Sequence, residues 1–226
     1  NVVAQIVDTE ASAPLEHSPA KALLLENFSD VLYGVDNAGN KRLYVINKIT
    51  GALFSLGDMI DGGNALGKYP NSGTDKGFAY YIEGTNGNDL RKWNPSNGVI
   101  TEQDITTTSS SYSRFGMGLV NGNVVAFASN NQRVYRIDLS TGVRTEIFRS
   151  GTANTPLLNS SSNSGDLAFA PDGTLYIAQD RNVIRIAFDP GTDATNATHA
   201  SVAATLDLSG VMQSNFSSFG FTGANE

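Results

Sequence analysis

The side chains of this chain that could do chemistry are few. Its 226 residues contain two histidines, His17 and His199, and no cysteine. The lack of cysteine excludes disulfide frameworks, cysteine-based zinc sites and cysteine nucleophiles. No Ser-His-Asp arrangement and no G-x-S-x-G turn marks a nucleophilic serine. Neither histidine begins a predicted strand, so we interpret both as loop residues rather than as catalytic groups.

Oxygen donors offer a second chemistry, the binding of a hard cation. They cluster in two turns, Asp-Asn-Ala-Gly-Asn at 36–40 and Asn-Gly-Asn-Asp at 86–89, and calcium takes carboxylate and carbonyl oxygens as ligands. If calcium binds, we predict Asp36 and Asn40 as its ligands. The alternative is a purely structural turn, because Asn, Asp and Gly are also the residues that tight turns require. No cofactor is certain from the sequence.

Aromatic side chains offer a third chemistry, the stacking of a ligand. Tyr80, Tyr81 and Trp93 lie close together in the sequence, and such rings combine a large apolar face with a polar tip. We predict these three residues as candidates for binding a glycan. Their alternation along strands also favours a second interpretation, in which the rings pack between neighbouring sheets.

Charge and hydropathy narrow the classes of partner. The net charge is −7 and the isoelectric point about 4.8, which argues against a nucleic-acid partner because phosphates require a basic surface. No apolar run approaches the length of a membrane span,. Gly, Ser, Thr and Asn are abundant, which is typical of short strands joined by tight turns.

An internal repeat positions these residues. Four similar stretches each carry an apolar residue followed by a turn with glycine. The apolar residues, Ile46, Trp93, Ile137 and Ile186, are 47, 44 and 49 residues apart, and the turn glycines are Gly51, Gly98, Gly142 and Gly191. In three of the stretches Asn47, Asn94 or Asp138 directly follows the apolar residue.

A second column of the repeat consists of small residues. Its members, Gly67, Gly118, Ala168 and Gly220, are 51, 50 and 52 residues apart. Four strands in about 45 to 50 residues is the period of a β-propeller blade, and small residues on the first strand would let neighbouring blades approach closely. We therefore predict an all-β fold, a β-propeller with about four visible four-stranded blades. The alternative is a β-sandwich with accidental self-similarity.

The number of predicted strands does not decide how the ring of blades closes. We predict an N-terminal extension, strand or arm over residues 1–30 and a propeller repeat domain over 31–226. No small-residue strand precedes Val31, whereas SSFGFTGANE supplies one after the fourth unit. This strand could complete the first blade of a small self-closed ring, or the chain could be part of a larger propeller. A strand from another copy of the chain is the third alternative.

The repeated phrases resemble a known class of domain. LYGVDNAGNKRLYVINKITGALFSLGD, VYRIDLSTGVRTEIF and GDLAFAPDGTLYIAQD are similar to the LYxIDxxTGxxTxIG-type propeller repeats of bacterial secreted and surface-anchored proteins. The resemblance covers about residues 30–226. It implies an extracellular or cell-surface module, of adhesins or envelope proteins, that binds a protein or glycan partner or assembles with copies of itself.

The phrase PDGTLYIA is also shared with six-bladed enzymes similar to gluconolactonases and quinoprotein sugar dehydrogenases. That resemblance implies an alternative function, a metal-dependent hydrolase of lactones or phosphate esters with a divalent ion in the axial funnel. Asp166 and Glu83 are candidates for that ion by residue type alone. Because catalytic signatures are missing from the sequence, we favour the non-catalytic binding module.

Overall fold

The computed structural model describes residues 31–35, 41–47, 49–60, 63–70, 75, 77–83, 89–94, 97–104, 112–130, 132–149 and 165–212. These residues form fifteen β-strands, and no α-helix is found among them. Within the same ranges no helix has the length and apolar character needed to cross a bilayer.

The strands form four antiparallel sheets in which neighbours in the sequence are neighbours in the sheet. The first sheet has three described strands, β1 (Val31–Val35), β2 (Arg42–Asn47) and β3 (Leu53–Asp58). The second has β4 (Gly63–Lys68), β5 (Ala79–Glu83), β6 (Asp89–Trp93) and β7 (Ile100–Asp104). The third has β8 (Arg114–Val120), β9 (Asn123–Ser129), β10 (Arg133–Ile137) and β11 (Arg144–Arg149). The fourth has β12 (Gly165–Phe169), β13 (Leu175–Gln179), β14 (Asn182–Phe188) and β15 (Ala200–Asp207).

The second, third and fourth sheets meet along their first strands, with β4 beside β8 and β8 beside β12. β1 of the three-stranded first sheet lies beside β4, so that the sheets follow one another around a common inner region. Apolar side chains fill the space between consecutive sheets: Val45 and Trp93 between the first and second, Phe115 between the second and third, and Phe127 and Ile177 between the third and fourth. The predicted radial arrangement of four repeated sheets is confirmed, whereas the boundary at residue 31 stays a prediction.

The column of small residues is explained by the contact between first strands. A Cβ atom on Gly67 would lie 2.8 Å from the ring of Phe115, and one on Gly118 would lie 2.5 Å from Phe169. Both distances are shorter than any ordinary carbon–carbon contact. The first strands therefore approach each other at a distance that excludes a larger side chain at these glycines. Gly220 lies outside the described residues.

The recurring hairpin turn is explained by local hydrogen bonds. Asn47 accepts at Oδ1 from the amides of Ile49 and Thr50, at 2.9 and 3.0 Å, and Asp138 accepts in the same way from Ser140 and Thr141, at 2.8 and 3.2 Å. Each turn ends in a glycine with a positive φ, 72° at Gly51 and 71° at Gly142. Side-chain oxygens that bind the next amides and glycines that accept positive φ are what such turns need. The repeated residue types thus have structural roles.

Candidate functional site

Two adjoining clefts flank the turn between β10 and β11. The larger has a volume of about 740 Å³ and is lined mostly by the third sheet, with Thr195 at one side. The smaller has a volume of about 410 Å³ and lies between the second sheet and the turn. Tyr69, Leu139 and Ser140 line both clefts. We call the two together the Tyr69 groove.

The smaller cleft combines aromatic rings with a pair of opposite charges. Asp75 accepts at Oδ2 from the hydroxyl of Tyr80 at 2.8 Å and from Nζ of Lys92 at 2.7 Å. Lys92 Nζ also lies 4.6 Å from the centre of the Phe78 ring. The rings of Tyr69 and Tyr80 stack with their centres 5.9 Å apart and an angle of 29° between their planes. The cleft therefore presents rings, an ammonium and a carboxylate within a few ångströms.

Strand register brings these side chains together. Tyr80 on β5 and Lys92 on β6 are direct partners across the sheet, and Tyr80 also pairs with Gly67 on β4. Tyr69 follows directly after β4, where its amide donates to the carbonyl of Phe78 at 2.9 Å. Side chains opposite each other in an antiparallel pair lie close enough to interact.

Burial raises the pKa of both phenols of the smaller cleft above the ordinary value. For Tyr80, the hydrogen bond to Asp75 and the charge of Asp75 raise the pKa further. Burial and then the charge of Asp75 also raise the pKa of Tyr69. About a third of the Lys92 side chain and a quarter of the Asp75 side chain are exposed, at 32% and 24%. These two opposite charges face solvent together.

Hydrogen bonds fix the polar walls of the larger cleft. Arg136 donates to the carbonyl of Thr195, which ties the third sheet to the loop between β14 and β15. Asn121 donates to Asp193 at 2.6 Å, and Asp193 accepts from the Thr195 amide at 2.8 Å. Hydrogen bonds from the hydroxyl and amide of Ser140 lower the pKa of Asp138, and those from Thr195 lower the pKa of Asp193.

The three aromatic residues predicted from the sequence do not share one surface. All three are buried. The Tyr80 hydroxyl reaches the smaller cleft, whereas the rings of Tyr81 and Trp93 lie in the core between the first and second sheets, where Trp93 meets Tyr33 at 6.0 Å between ring centres. The separation follows from the alternation of side chains along a strand, which puts Tyr80 and Tyr81 on opposite faces.

The sequence reasoning missed Tyr69, Asp75 and Lys92. The repeat gave no signal for Tyr69, because the equivalent positions of the next two units hold Val120 and Ala170. Only the strand register and the contacts of Asp75 show that the three meet Tyr80.

The described residues among those considered for metal binding or catalysis form no common site. Asp36 and Asn40, the predicted calcium ligands, lie outside the described residues. His199 is exposed, with Nδ1 3.4 Å from a carboxylate oxygen of Asp189. Asp166 accepts from the Leu167 amide at 2.8 Å. Within the described ranges no three His, Cys, Asp or Glu side chains form a group that could hold a metal ion.

A closed polar cluster lies between the third and fourth sheets. Arg114, Ser129 and Gln179 are buried, with exposed fractions of 0%, 0% and 1%. Arg114 and Ser129 are register partners, and Gly165, the partner of Gln179, lies beside the Arg114 guanidinium. Burial lowers the pKa of Arg114, while the charges of Asp180 and then Asp166 raise it. Neither the Gln179 amide nor the Ser129 hydroxyl is hydrogen-bonded to any described residue.

Comparison with known proteins gives the fold. The chain superposes on a nidogen/laminin complex with a TM-score of 0.54 and 10% identity, over 86% of this chain and 65% of that one. It superposes on an auxiliary nutrient binding protein of Bacteroides ovatus ATCC 8483 with a TM-score of 0.53 and 11% identity, over 80% and 40%. It also superposes on an auxiliary nutrient binding protein of Bacteroides thetaiotaomicron VPI-5482. The TM-score is 0.50 and the identity 16%, over 76% of this chain and 38% of that one. The fold is a β-propeller.

The likeness at such low identity extends to the propeller fold alone. The chain spans 38% to 65% of the length of these three structures. No protein-family model matches the chain, and no curated protein matches it. The resemblance to the repeats of bacterial surface proteins therefore stays a prediction beyond the propeller fold itself.

Proposed function

We propose that this propeller is a non-catalytic binding module that acts outside the cell or at its surface, with the Tyr69 groove as its binding site. One observation carries the proposal: the groove joins stacked aromatic rings to a partly exposed Lys92–Asp75 pair. Concave sites that combine apolar surface with a few placed polar groups are typical of ligand binding. Two propeller neighbours, a nutrient binding protein and nidogen in complex with laminin, are binding proteins as well.

The electrostatics of the groove support binding over chemistry. A general acid or base works best with a pKa near the operating pH. Among the residues that line the groove, the pKa of Asp138 is lowered and that of Tyr80 is raised, so both move away from neutrality. These groups hold their charge state at physiological pH and serve the binding surface rather than proton transfer.

The partner we propose is a protein or a glycan, with self-association through strand pairing as a further mode. The net charge of −7 disfavours nucleic acid. The metal-dependent hydrolase is the less favoured alternative, because the propeller neighbours named above are a nutrient binding protein and a nidogen/laminin complex.

Arrays of glycans and of extracellular proteins, probed with the purified chain and with one groove variant, test this function. Ser140→Arg places a long side chain where both clefts meet. Ser209→Arg is the matched control, because the Ser209 amide donates to Asp207 at 2.8 Å just as the Ser140 amide donates to Asp138 at 2.8 Å. We expect at least tenfold weaker binding for Ser140→Arg and no change for Ser209→Arg. The proposal is contradicted if Ser140→Arg binds as tightly as Ser209→Arg, or if the protein hydrolyses a lactone in the presence of a metal ion.

A further inference from the structure

We infer that the smaller cleft of the Tyr69 groove binds a neutral oligosaccharide, with one sugar ring stacked on Tyr69 and its adjacent hydroxyls on Lys92 and Asp75. The inference rests on the proposed function and adds the chemical class of the ligand and its position in the groove.

Among the described residues, Asp75 and Lys92 keep hydrogen-bonding capacity that matches two adjacent hydroxyl groups of a sugar. Asp75 uses Oδ2 for Tyr80 and Lys92, and its Oδ1 accepts no bond from the described part of the chain. Lys92 donates one of its three N–H groups to Asp75, which leaves further donors. A sugar hydroxyl both donates and accepts. One hydroxyl can therefore donate to the carboxylate while its neighbour accepts from the ammonium.

Ring stacking supplies the second half of the recognition. Tyr69 lines both clefts, is half-buried, and is backed by Tyr80. A supported ring loses little conformational freedom on binding and offers a large apolar face to the C–H side of a sugar. Leu139 extends the apolar surface. The hydroxyls of Thr101 and Ser140 add acceptors, although the Ser140 hydroxyl donates to Asp138 at 2.6 Å.

Charge balance selects a neutral ligand. The positive charge of Lys92 and the negative charge of Asp75 lie 2.7 Å apart and neutralise each other. A charged ligand would therefore gain little attraction from either group. The net charge of −7 adds a general repulsion of anions. The larger adjoining cleft of about 740 Å³ has room for further sugar units, which favours an oligosaccharide over a monosaccharide.

The test is calorimetric titration of the full chain with neutral hexasaccharides of glucose, mannose, galactose, xylose and N-acetylglucosamine, beside uronate and sulfated oligosaccharides. Tyr69→Ala removes the stacking face, and Tyr69→Phe keeps it without the hydroxyl. Asp75→Asn keeps the shape of the carboxylate and removes its charge. We expect one or more neutral hexasaccharides to bind, with Tyr69→Phe within twofold of the wild type and Tyr69→Ala and Asp75→Asn at least tenfold weaker. Thermal unfolding of each variant checks its fold.

The outcomes separate the failure of the inference from that of the proposed function. If no neutral hexasaccharide binds, or only charged ones do, the inference is overturned. The proposed function survives that result if a protein partner binds in the array and Ser140→Arg abolishes its binding. Both fail if every partner found binds Ser140→Arg as well as the wild type. Oligosaccharide binding that is equal in Tyr69→Ala and wild type overturns the position of the site.

Discussion

Gln179 is a buried amide whose oxygen and nitrogen both lack a hydrogen-bond partner among the described residues. Such a group costs about 1–3 kcal/mol relative to its solvation in water. We therefore expect Gln179→Met, of similar shape, to raise the free energy of unfolding by about 1 kcal/mol in urea denaturation. A loss of stability in this variant would show that the amide is hydrogen-bonded in solution.

Arg114, in the same cluster, provides the contrasting substitution. It is fully buried and donates to the Asn130 carbonyl at 3.2 Å, and the charges of Asp166 and Asp180 act on it. Removing one partner from a buried ionic group leaves the others uncompensated. Arg114→Met should therefore lower the free energy of unfolding by about 3 kcal/mol. A change of the same sign in both methionine variants would contradict our account of the cluster.

At the scale of single residues, the sequence shows which type of side chain a strand carries but not the face of the sheet on which that side chain lies. Tyr80, Tyr81 and Trp93 are apolar rings on strands, and the sequence alone supports either a stacking surface or packing for each. The choice depends on which face of the sheet each ring occupies, which the tertiary arrangement of neighbouring sheets decides. Asp75 shows the same limit, because its contact with Lys92 at 2.7 Å spans 17 residues of chain.

At the scale of the strand, the contact of β8 with β12 depends on Gly118. A Cβ atom there would lie 2.5 Å from Phe169, whereas one on Gly34 in β1 would meet its nearest atom, Ile46 Cδ1, at an ordinary 3.5 Å. Overpacking of a tight core costs about 1–3 kcal/mol. We expect Gly118→Ala to lower the free energy of unfolding by that amount in urea denaturation, and Gly34→Ala to have little effect. Similar effects of the two would contradict the close approach of the first strands.

At the scale of the turn, Asp138 makes stability depend on pH. Hydrogen bonds from Ser140 and Thr141 lower its pKa in the folded state below the ordinary 3.8. A lowered folded pKa stabilises the protein above the unfolded value, and this contribution is lost as the pH falls below 3.8. Asp138→Asn keeps an acceptor, as Asn47 does in the first turn, but cannot titrate.

The expected result is a difference in melting temperature between wild type and Asp138→Asn that is present at pH 7 and shrinks as the pH falls from about 4 to 3. Thermal unfolding followed by circular dichroism over this range measures it. Asp172, Asp193 and Asp207, whose pKa values are also lowered by hydrogen bonds from their own turns, should make both proteins less stable in acid. A difference that is constant with pH would refute the role of the Asp138 charge.

The elements themselves could be predicted because their signals are local. Asn47, Asp138, Gly51 and Gly142 act within a few residues of the chain, so their spacing reveals the hairpin turns directly. The column of Gly67 and Gly118 reveals the packing of first strands, because close approach restricts residue type. Phe115 and Phe169 lie against these glycines. The sequence could not identify them as the packing partners, because any large apolar residue fits the pattern of a strand.

At the scale of the whole molecule, the first sheet differs from the other three. The second, third and fourth sheets begin with β4, β8 and β12, but no described strand pairs with β1 on the side away from β2. An edge strand without a neighbour invites pairing with another strand. The repeat points to a candidate, because Gly220 follows Ala168 by 52 residues and continues the column of small residues.

One alternative that the sequence leaves open is that the small-residue strand SSFGFTGANE completes the first sheet of the same chain, and this alternative makes a testable prediction. Deletion of residues 213–226 should then lower the melting temperature and cause concentration-dependent association, measured by light scattering, because the edge of β1 becomes available to other chains. Deletion of residues 1–20 is the matched control and should change neither property. If deletion of residues 1–20 has these effects and deletion of residues 213–226 has none, the N-terminal arm supplies the strand that pairs with β1. A full chain that is dimeric at all concentrations, and a monomer only after deletion of 213–226, would show instead that the strand is exchanged between copies.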